Sequence, residues 1–148
     1  MRQEFVRKGK LCTCIFLLLK DEFHPVKIRI LLADDHSIVR KQLAIRLNSE
    51  PDLDVVGIAA TSQETFQKIQ MTHPQILLMD PLMRDGLGVA TLRQVRSNFP
   101  ELVIVVLTAY VDTMLNMQFQ KMGIKQILTK GIASSELLAA LRGAYATA

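Results

Sequence analysis

The chain has no tryptophan and only two cysteines, Cys12 and Cys14. A single residue separates them, which is not the spacing of a zinc or redox pair, so neither chemistry is expected there. Long apolar runs are missing too. The run Leu11 to Leu19 has nine residues, far short of the roughly 20 that cross a membrane. It follows Arg7, Lys8 and Lys10 in the order of a signal peptide, but "KDEFH" comes next and no small-residue cleavage site does. Without a span or an export signal, a cytoplasmic protein with no membrane partner is expected. No Ser/Thr/Gly phosphate loop follows the first apolar stretch of the domain, which argues against flavin binding. Repeats, low-complexity tracts and internal linkers are absent. One domain is expected, long enough at 148 residues to bury a core.

A surplus of one charge is also absent from most of the chain. The formal net charge of +4 suggests a nucleic-acid binder until it is divided. Residues 1–29 hold seven basic and three acidic side chains, whereas residues 30–148 hold eleven of each. The basic character belongs to the N-terminal segment, and direct nucleic-acid binding by the domain is not expected. Residues 1–26 read as an extension, either disordered or packed on the domain. Residues 27–148 read as the domain itself. With 49% hydrophobic and 22% charged residues, the composition is globular.

What is present is alternation. Short apolar runs occur at 28–33 (IRILLA), 55–59 (VVGIA), 76–79 (ILLM), 102–107 (LVIVVL) and 126–128 (QIL). Continuous runs without period-two alternation suit parallel strands buried on both faces. Between them lie helical spacings: Val39, Leu43 and Leu47; Phe66 and Ile69; Val89, Leu92 and Phe99; Leu115, Phe119 and Met122; Leu137, Leu138, Leu141 and Tyr145. Thr61 with Glu64 makes a capping box, Pro74 and Pro100 close helices, and Gly123 stands where a terminating glycine belongs. Five βα units predict an α/β fold, a doubly wound five-stranded parallel sheet with helices on both faces.

Such sheets carry their sites at the carboxyl ends of the strands. Those ends read Asp34 and Asp35, then Asp80, Thr108 and Lys130. Taken singly, each has an ordinary explanation: Asp35 as the N-cap of a helix starting near Ser37, Asp80 as a turn starter before Pro81, Lys130 as a solvated lysine. Capping leaves Asp34 idle, however, and two adjacent carboxylates at a core edge repel each other and resist desolvation. Three carboxylates, a hydroxyl and an ammonium on one edge suit a divalent cation and a phosphoryl group.

"ILLADDHSIVR", "ILLMD", "VIVVLTAY" and "ILTKG" stand in the order, and close to the spacing, of the receiver domain of bacterial two-component response regulators. Residues 27–145 resemble that CheY-like family, most closely its NarL/FixJ/LuxR branch, which implies a flavodoxin-like sheet of order 2-1-3-4-5. The resemblance also implies roles. Asp80 matches the phosphoacceptor, charged by a histidine kinase or phosphotransfer protein. Asp35, with Asp34 acting largely through water, Asp80 itself and the backbone carbonyl of Leu82 match the Mg²⁺ ligands. Thr108 matches the switch hydroxyl, Ala109 the small residue that leaves the phosphoryl site open, and Lys130 the partner of the acceptor. The family's partner surface and homodimer face lie on its fourth helix, fifth strand and fifth helix, where Met114, Met117 and Met122 read as core filler or as an adaptable contact.

The chain departs from the family pattern in four places. Gly86 follows Asp80 by six positions where eight is common, without the usual Met-Pro. Pro81 removes an amide beside the acceptor. Ile127 replaces the switch aromatic, and no DNA-binding domain follows within the sequence to Ala148. The expectation is a signalling domain, not a classical enzyme, that phosphorylates slowly and couples weakly. The alternative is a degenerate receiver acting as a phosphorylation-independent interaction module. An aspartate-nucleophile phosphatase would want a second acid two positions after the nucleophile, where Leu82 stands.

Overall fold

Apolar runs suit strands shielded from water, and here each becomes a parallel strand, the three central ones largely buried on both faces and the two edge ones only partly. The computed structural model describes residues 25–148. The expected N-terminal extension, with its apolar run and both cysteines, lies outside the described residues apart from its last two, of which Val26 is exposed. The strands are β1 (Ile28–Ala33), β2 (Leu53–Ala59), β3 (Ile76–Met79), β4 (Val103–Thr108) and β5 (Gln126–Thr129). Helices α1 (Ser37–Asn48), α2 (Ser62–Thr72), α3 (Gly88–Asn98), α4 (Thr113–Lys121) and α5 (Ser134–Ala146) alternate with them. The sheet order is β2-β1-β3-β4-β5 and every pairing is parallel, as the five βα units and the family likeness imply.

Alternate residues of each central strand feed two cores. Leu31, Leu77, Met79, Ile104 and Val106 pack with Ile69 of α2, Leu92 and Val95 of α3, and Phe119 of α4. Ile30, Leu32, Ile76, Leu78, Val105 and Leu107 pack with Leu47 of α1 and with Leu137, Leu138 and Leu141 of α5. Each fully buried leucine or isoleucine contributes about 1.5–3 kcal/mol by leaving water. The helix spacings read from the sequence therefore face the sheet, except that Val39 and Tyr145 join neither core. The methionine reading divides in the same way: Met114 and Met117 are exposed on α4, and only Met122 packs on the core.

Local punctuation fixes where the helices begin and end. Thr61 Oγ1 accepts from the Glu64 amide at 3.1 Å while Glu64 Oε2 accepts from the Ala60 amide at 2.9 Å, so α2 opens on a reciprocal cap. At the end of α4, Gly123 takes φ +75°, its amide donates to Gln120 O, and the Ile124 amide donates to Phe119 O. This is a Schellman ending, in which buried Ile124 joins Phe119 in one core. Helix α1 does not bear out the ordinary explanation of Asp35 as its cap. Its N-cap residue is His36, with no side-chain cap, and Asp35 does not cap it. The carboxylate nearest the helix amides belongs to Asp34, whose Oδ1 accepts from the His36 amide at 2.7 Å.

Candidate functional site

Register converts strand ends into a site. Ala33 stands opposite Met79, and Met79 opposite Val106, so the residues that follow emerge level with one another. The ladder continues one step beyond the strands: the Asp80 amide donates to Ala33 O (2.9 Å), the Asp34 amide to Ala59 O (3.0 Å) and the Lys130 amide to Thr108 O (2.8 Å). Backbone bonds thus anchor Asp34, Asp80 and Lys130 before any side chain is considered.

The side chains converge. Lys130 Nζ lies 2.6 Å from Asp34 Oδ2 and 2.6 Å from Asp80 Oδ2, bridging two carboxylates that are almost wholly buried. Burial opposes the lysine's charge, but its hydrogen bonds to the two aspartates outweigh that effect and raise its pKa above the ordinary lysine value. Asp80 Oδ1 accepts from the Leu82 amide at 2.8 Å. Proline at 81 therefore does not strip the carboxylate of backbone donors, because the next amide reaches it. Asp35 accepts from the Arg84 amide through Oδ2 at 2.9 Å, with Arg84 Nε 3.5 Å from the same oxygen. Its other oxygen, Oδ1, is buried and makes no hydrogen bond, although His36 Nδ1 approaches to 3.0 Å off bonding geometry. Donor atoms of Asp34, Asp35, His36 and Asp80 all fall within 4.8 Å of one another.

Thr108 is buried at the end of β4, with its hydroxyl turned into the following turn. Oγ1 donates to Tyr110 O at 3.0 Å and accepts from the Tyr110 amide at 3.4 Å. Ala109 is exposed at the rim. Ile127 pairs with Val106 in β5 and packs, half-buried, on the core that holds Phe119. Of the residues expected from the sequence, Asp34, Asp80 and Lys130 meet directly, and Asp35 offers an oxygen within 4.8 Å of both other aspartates.

The short loop after β3 is pinned at three points. Arg84 holds Asp35, Gly88 lies against the Pro81 carbonyl, and Asp85 reaches α2. Asp85 Oδ2 accepts from the Ser62 amide at 2.7 Å, and Oδ1 accepts from Ser62 Oγ (3.1 Å) and the Leu87 amide (3.0 Å). Gly86 closes the turn at φ +69°. Burial of the Asp85 carboxyl acts to raise its pKa, but the amides of Ser62 and Leu87 and the Ser62 hydroxyl prevail and hold it below the ordinary value. A depressed carboxyl contributes stability above its unfolded pKa and loses it as pH falls through the folded one. Asp85→Ala is expected to cost about 1–2 kcal/mol near neutrality by orphaning those amides. In denaturant titrations against wild type, that gap should begin to narrow once the pH drops below the ordinary aspartate value of 3.8 and go on narrowing as it falls through the lower folded value. A gap that persists unchanged in acid would contradict the assignment.

Sequence reasoning missed His36, Arg84 and the Asp85–Ser62 contact. His36 had a visible signal, its place directly after the carboxylate pair. Arg84 had none, because its position depends on the path of a loop shorter than usual.

The response regulator receiver domain family matches residues 30–142. This chain belongs to that family. The oxygen regulatory protein NreC of Staphylococcus haemolyticus is 34% identical over 119 residues, covering 80% of this chain and 55% of the relative. The response regulator protein VraR of Staphylococcus saprophyticus is 30% identical over 118 residues, covering 80% and 56%. The chain spans about half the length of these curated relatives. A crystal structure of a LuxR-family two-component response regulator from Aurantimonas superposes with TM-score 0.76 at 26% identity, over 82% of this chain and 86% of that one. The isolated receiver domain of RcsB from Salmonella enterica serovar Typhimurium, solved with the phosphomimetic BeF3⁻, gives TM-score 0.71 at 26% identity, over 79% and 89%. The receiver is thus a two-component signalling domain of the NarL/LuxR type. No helix among its described residues is long and apolar enough to cross a membrane.

Proposed function

We propose that this receiver accepts a phosphoryl group on Asp80 from a histidine kinase or phosphotransfer protein and uses Thr108 to report the event. The carrying observation is Lys130, which holds Asp80 Oδ2 and Asp34 Oδ2 at 2.6 Å each and so pairs an ammonium with the acceptor carboxylate. In the transfer, an Asp80 oxygen forms a bond to phosphorus as the P–N bond to the donor imidazole breaks. The electron pair stays on that imidazole nitrogen, which then takes a proton. Lys130 neutralises the phosphoryl oxygens.

The donor set fits Mg²⁺, because hard carboxylate oxygens cluster around a buried Asp35 oxygen that lacks a hydrogen bond. Asp35 and Asp80 would hold the ion directly, Asp34 through water, and Leu82 through its carbonyl. Bound there, Mg²⁺ supplies positive charge that lowers the repulsion between the carboxylates and an incoming phosphate. Thr108 reports by leaving the Tyr110 backbone for the phosphoryl group, which costs two hydrogen bonds and returns one that is charge-assisted. Ile127 carries no ring hydroxyl to move with it. The exposed Met114 and Met117 on α4 then offer a partner or homodimer face with β5 and α5. The domain reading of residues 27–148 and a cytoplasmic site of action belong to the same proposal.

The test is incubation with Mg²⁺ and acetyl phosphate, read by intact mass. A gain of one phosphoryl group supports the reading. No gain, with no response to beryllofluoride, would favour a phosphorylation-independent interaction module, a reading that the Arg84 contact on Asp35 also suits. Lys130→Ala is expected to block the Thr108 response while leaving Mg²⁺ affinity within about threefold, since an ammonium is a partner and not a ligand. A Mg²⁺ titration with beryllofluoride fluorescence separates the two effects. Loss of ion binding as large as the loss of response would contradict that division of roles.

A further inference from the structure

His36 stands at the mouth of the site with half its side chain exposed, yet its Nδ1 faces inward. That nitrogen lies 3.0 Å from Asp35 Oδ1, 3.2 Å from Asp34 Oδ1 and 3.5 Å from Lys130 Nζ. The ring nitrogen thus shares one small space with two carboxylates and an ammonium. Asp35 Oδ1, on a side chain only 10% exposed, is left buried without a hydrogen bond. A cation among these atoms would give that oxygen a partner, and the ring nitrogen stands where it can offer the same ion a lone pair.

We infer that His36 Nδ1 is a further metal ligand, joining the carboxylates of Asp35 and Asp80, and that it tilts the site toward first-row transition dications of the zinc class. The inference rests on the ion-binding part of the proposed function. Carboxylate oxygens suit Mg²⁺, whereas an imidazole nitrogen adds little for that ion and much for zinc, nickel or copper. The donor atoms lie close enough together, within 4.8 Å, for one ion to gather them after small side-chain rotations. Such an ion takes the room in which Mg²⁺ would serve phosphorylation, so the two metals compete for one site.

The experiment uses the full chain carrying Cys12→Ser and Cys14→Ser, so that thiolates take no zinc. Zn²⁺ and Mg²⁺ are titrated separately against a metal-sensing chelator dye, in this parent and after adding His36→Ala or His36→Gln. Both variants alter a half-exposed side chain, and unchanged far-ultraviolet circular dichroism confirms the fold. Zinc affinity is expected to fall about tenfold or more in both variants, the scale seen when imidazole support is lost from metal sites, while Mg²⁺ affinity moves less than about twofold. Equal losses for both ions, unchanged zinc affinity, or no zinc binding to the parent would each overturn the inference. Asp80→Asn distinguishes the levels. Zinc binding that survives loss of His36 but not loss of Asp80 removes the histidine from the ligand set and leaves the carboxylate site standing. Acetyl-phosphate labelling of the parent reports separately on the phosphoacceptor reading.

Discussion

Asp80→Asn should remove acetyl-phosphate labelling completely while the domain stays folded. A carboxamide oxygen is too weak a nucleophile to open an acyl or phosphoramidate phosphate, and its nitrogen donates where the carboxylate accepted. The fold survives for electrostatic reasons. Asp34 and Asp80 share a single ammonium, so deleting one charge relieves repulsion between two buried carboxylates while Lys130 keeps Asp34 at 2.6 Å. The asparagine oxygen can still accept from the Leu82 amide, which holds Asp80 Oδ1 at 2.8 Å. The obvious substitute, Asp85, cannot take over from its present position, since both its oxygens are bound to Ser62 and Leu87. Intact-mass analysis and circular dichroism of the variant read the two halves of the expectation. An undiminished adduct would place the acceptor elsewhere and undo the proposed chemistry.

Much of this architecture was legible because two periodicities never conflict. The runs at 28–33 and 76–79 are strands to the residue, and the other three shift by only one or two positions at an end. The central strands are buried on both faces, so an uninterrupted apolar run had no other stable place to go. The strand-end rule then carried Asp34, Asp80 and Lys130 into one cluster, since parallel register leaves the residues beyond the strands level. Side-chain direction was not legible. Nothing in "LTAY" says that the Thr108 hydroxyl turns toward Tyr110, because a threonine at a strand end chooses between local backbone and distant partners by small energy differences. Met114 and Met117 had the spacing of core residues, but α4 buries only the stripe marked by Phe119, and a nine-residue helix on one sheet face leaves most of its surface to water. The contact made by Asp85 was not legible either. Its role depends on where the N-terminus of α2 lies, 23 positions earlier in the chain, and no local pattern encodes that distance.

The shortened loop makes its own demand at Gly88. This residue opens α3, is buried, and lies so close to Pro81 that a Cβ built on it would collide with the Pro81 carbonyl and Cα. The obstacle is backbone, which cannot rotate away as a side-chain end would. Two fewer residues between Asp80 and Gly86 than the family pattern draw the start of α3 against the residue after the acceptor. Gly88→Ala is therefore expected to be destabilising even though alanine is the better helix former. Forced overpacking of this kind costs about 1–3 kcal/mol, which for a domain of this size lowers Tm by roughly 3–10 °C. The displacement falls on Pro81 and Leu82, whose amide holds Asp80 Oδ1, so acetyl-phosphate labelling should slow as well. Gly143→Ala is the control. Gly143 is an exposed glycine within α5, where an added Cβ meets nothing within 4 Å. It should gain about 0.5–1 kcal/mol from reduced backbone entropy and label at the wild-type rate. Thermal melts of the two variants shift in opposite directions, and only Gly88→Ala slows labelling, if the loop is packed as described. A Gly88→Ala protein as stable and as reactive as wild type would mean that the loop yields at little cost, and that Pro81 does not hold the acceptor in place.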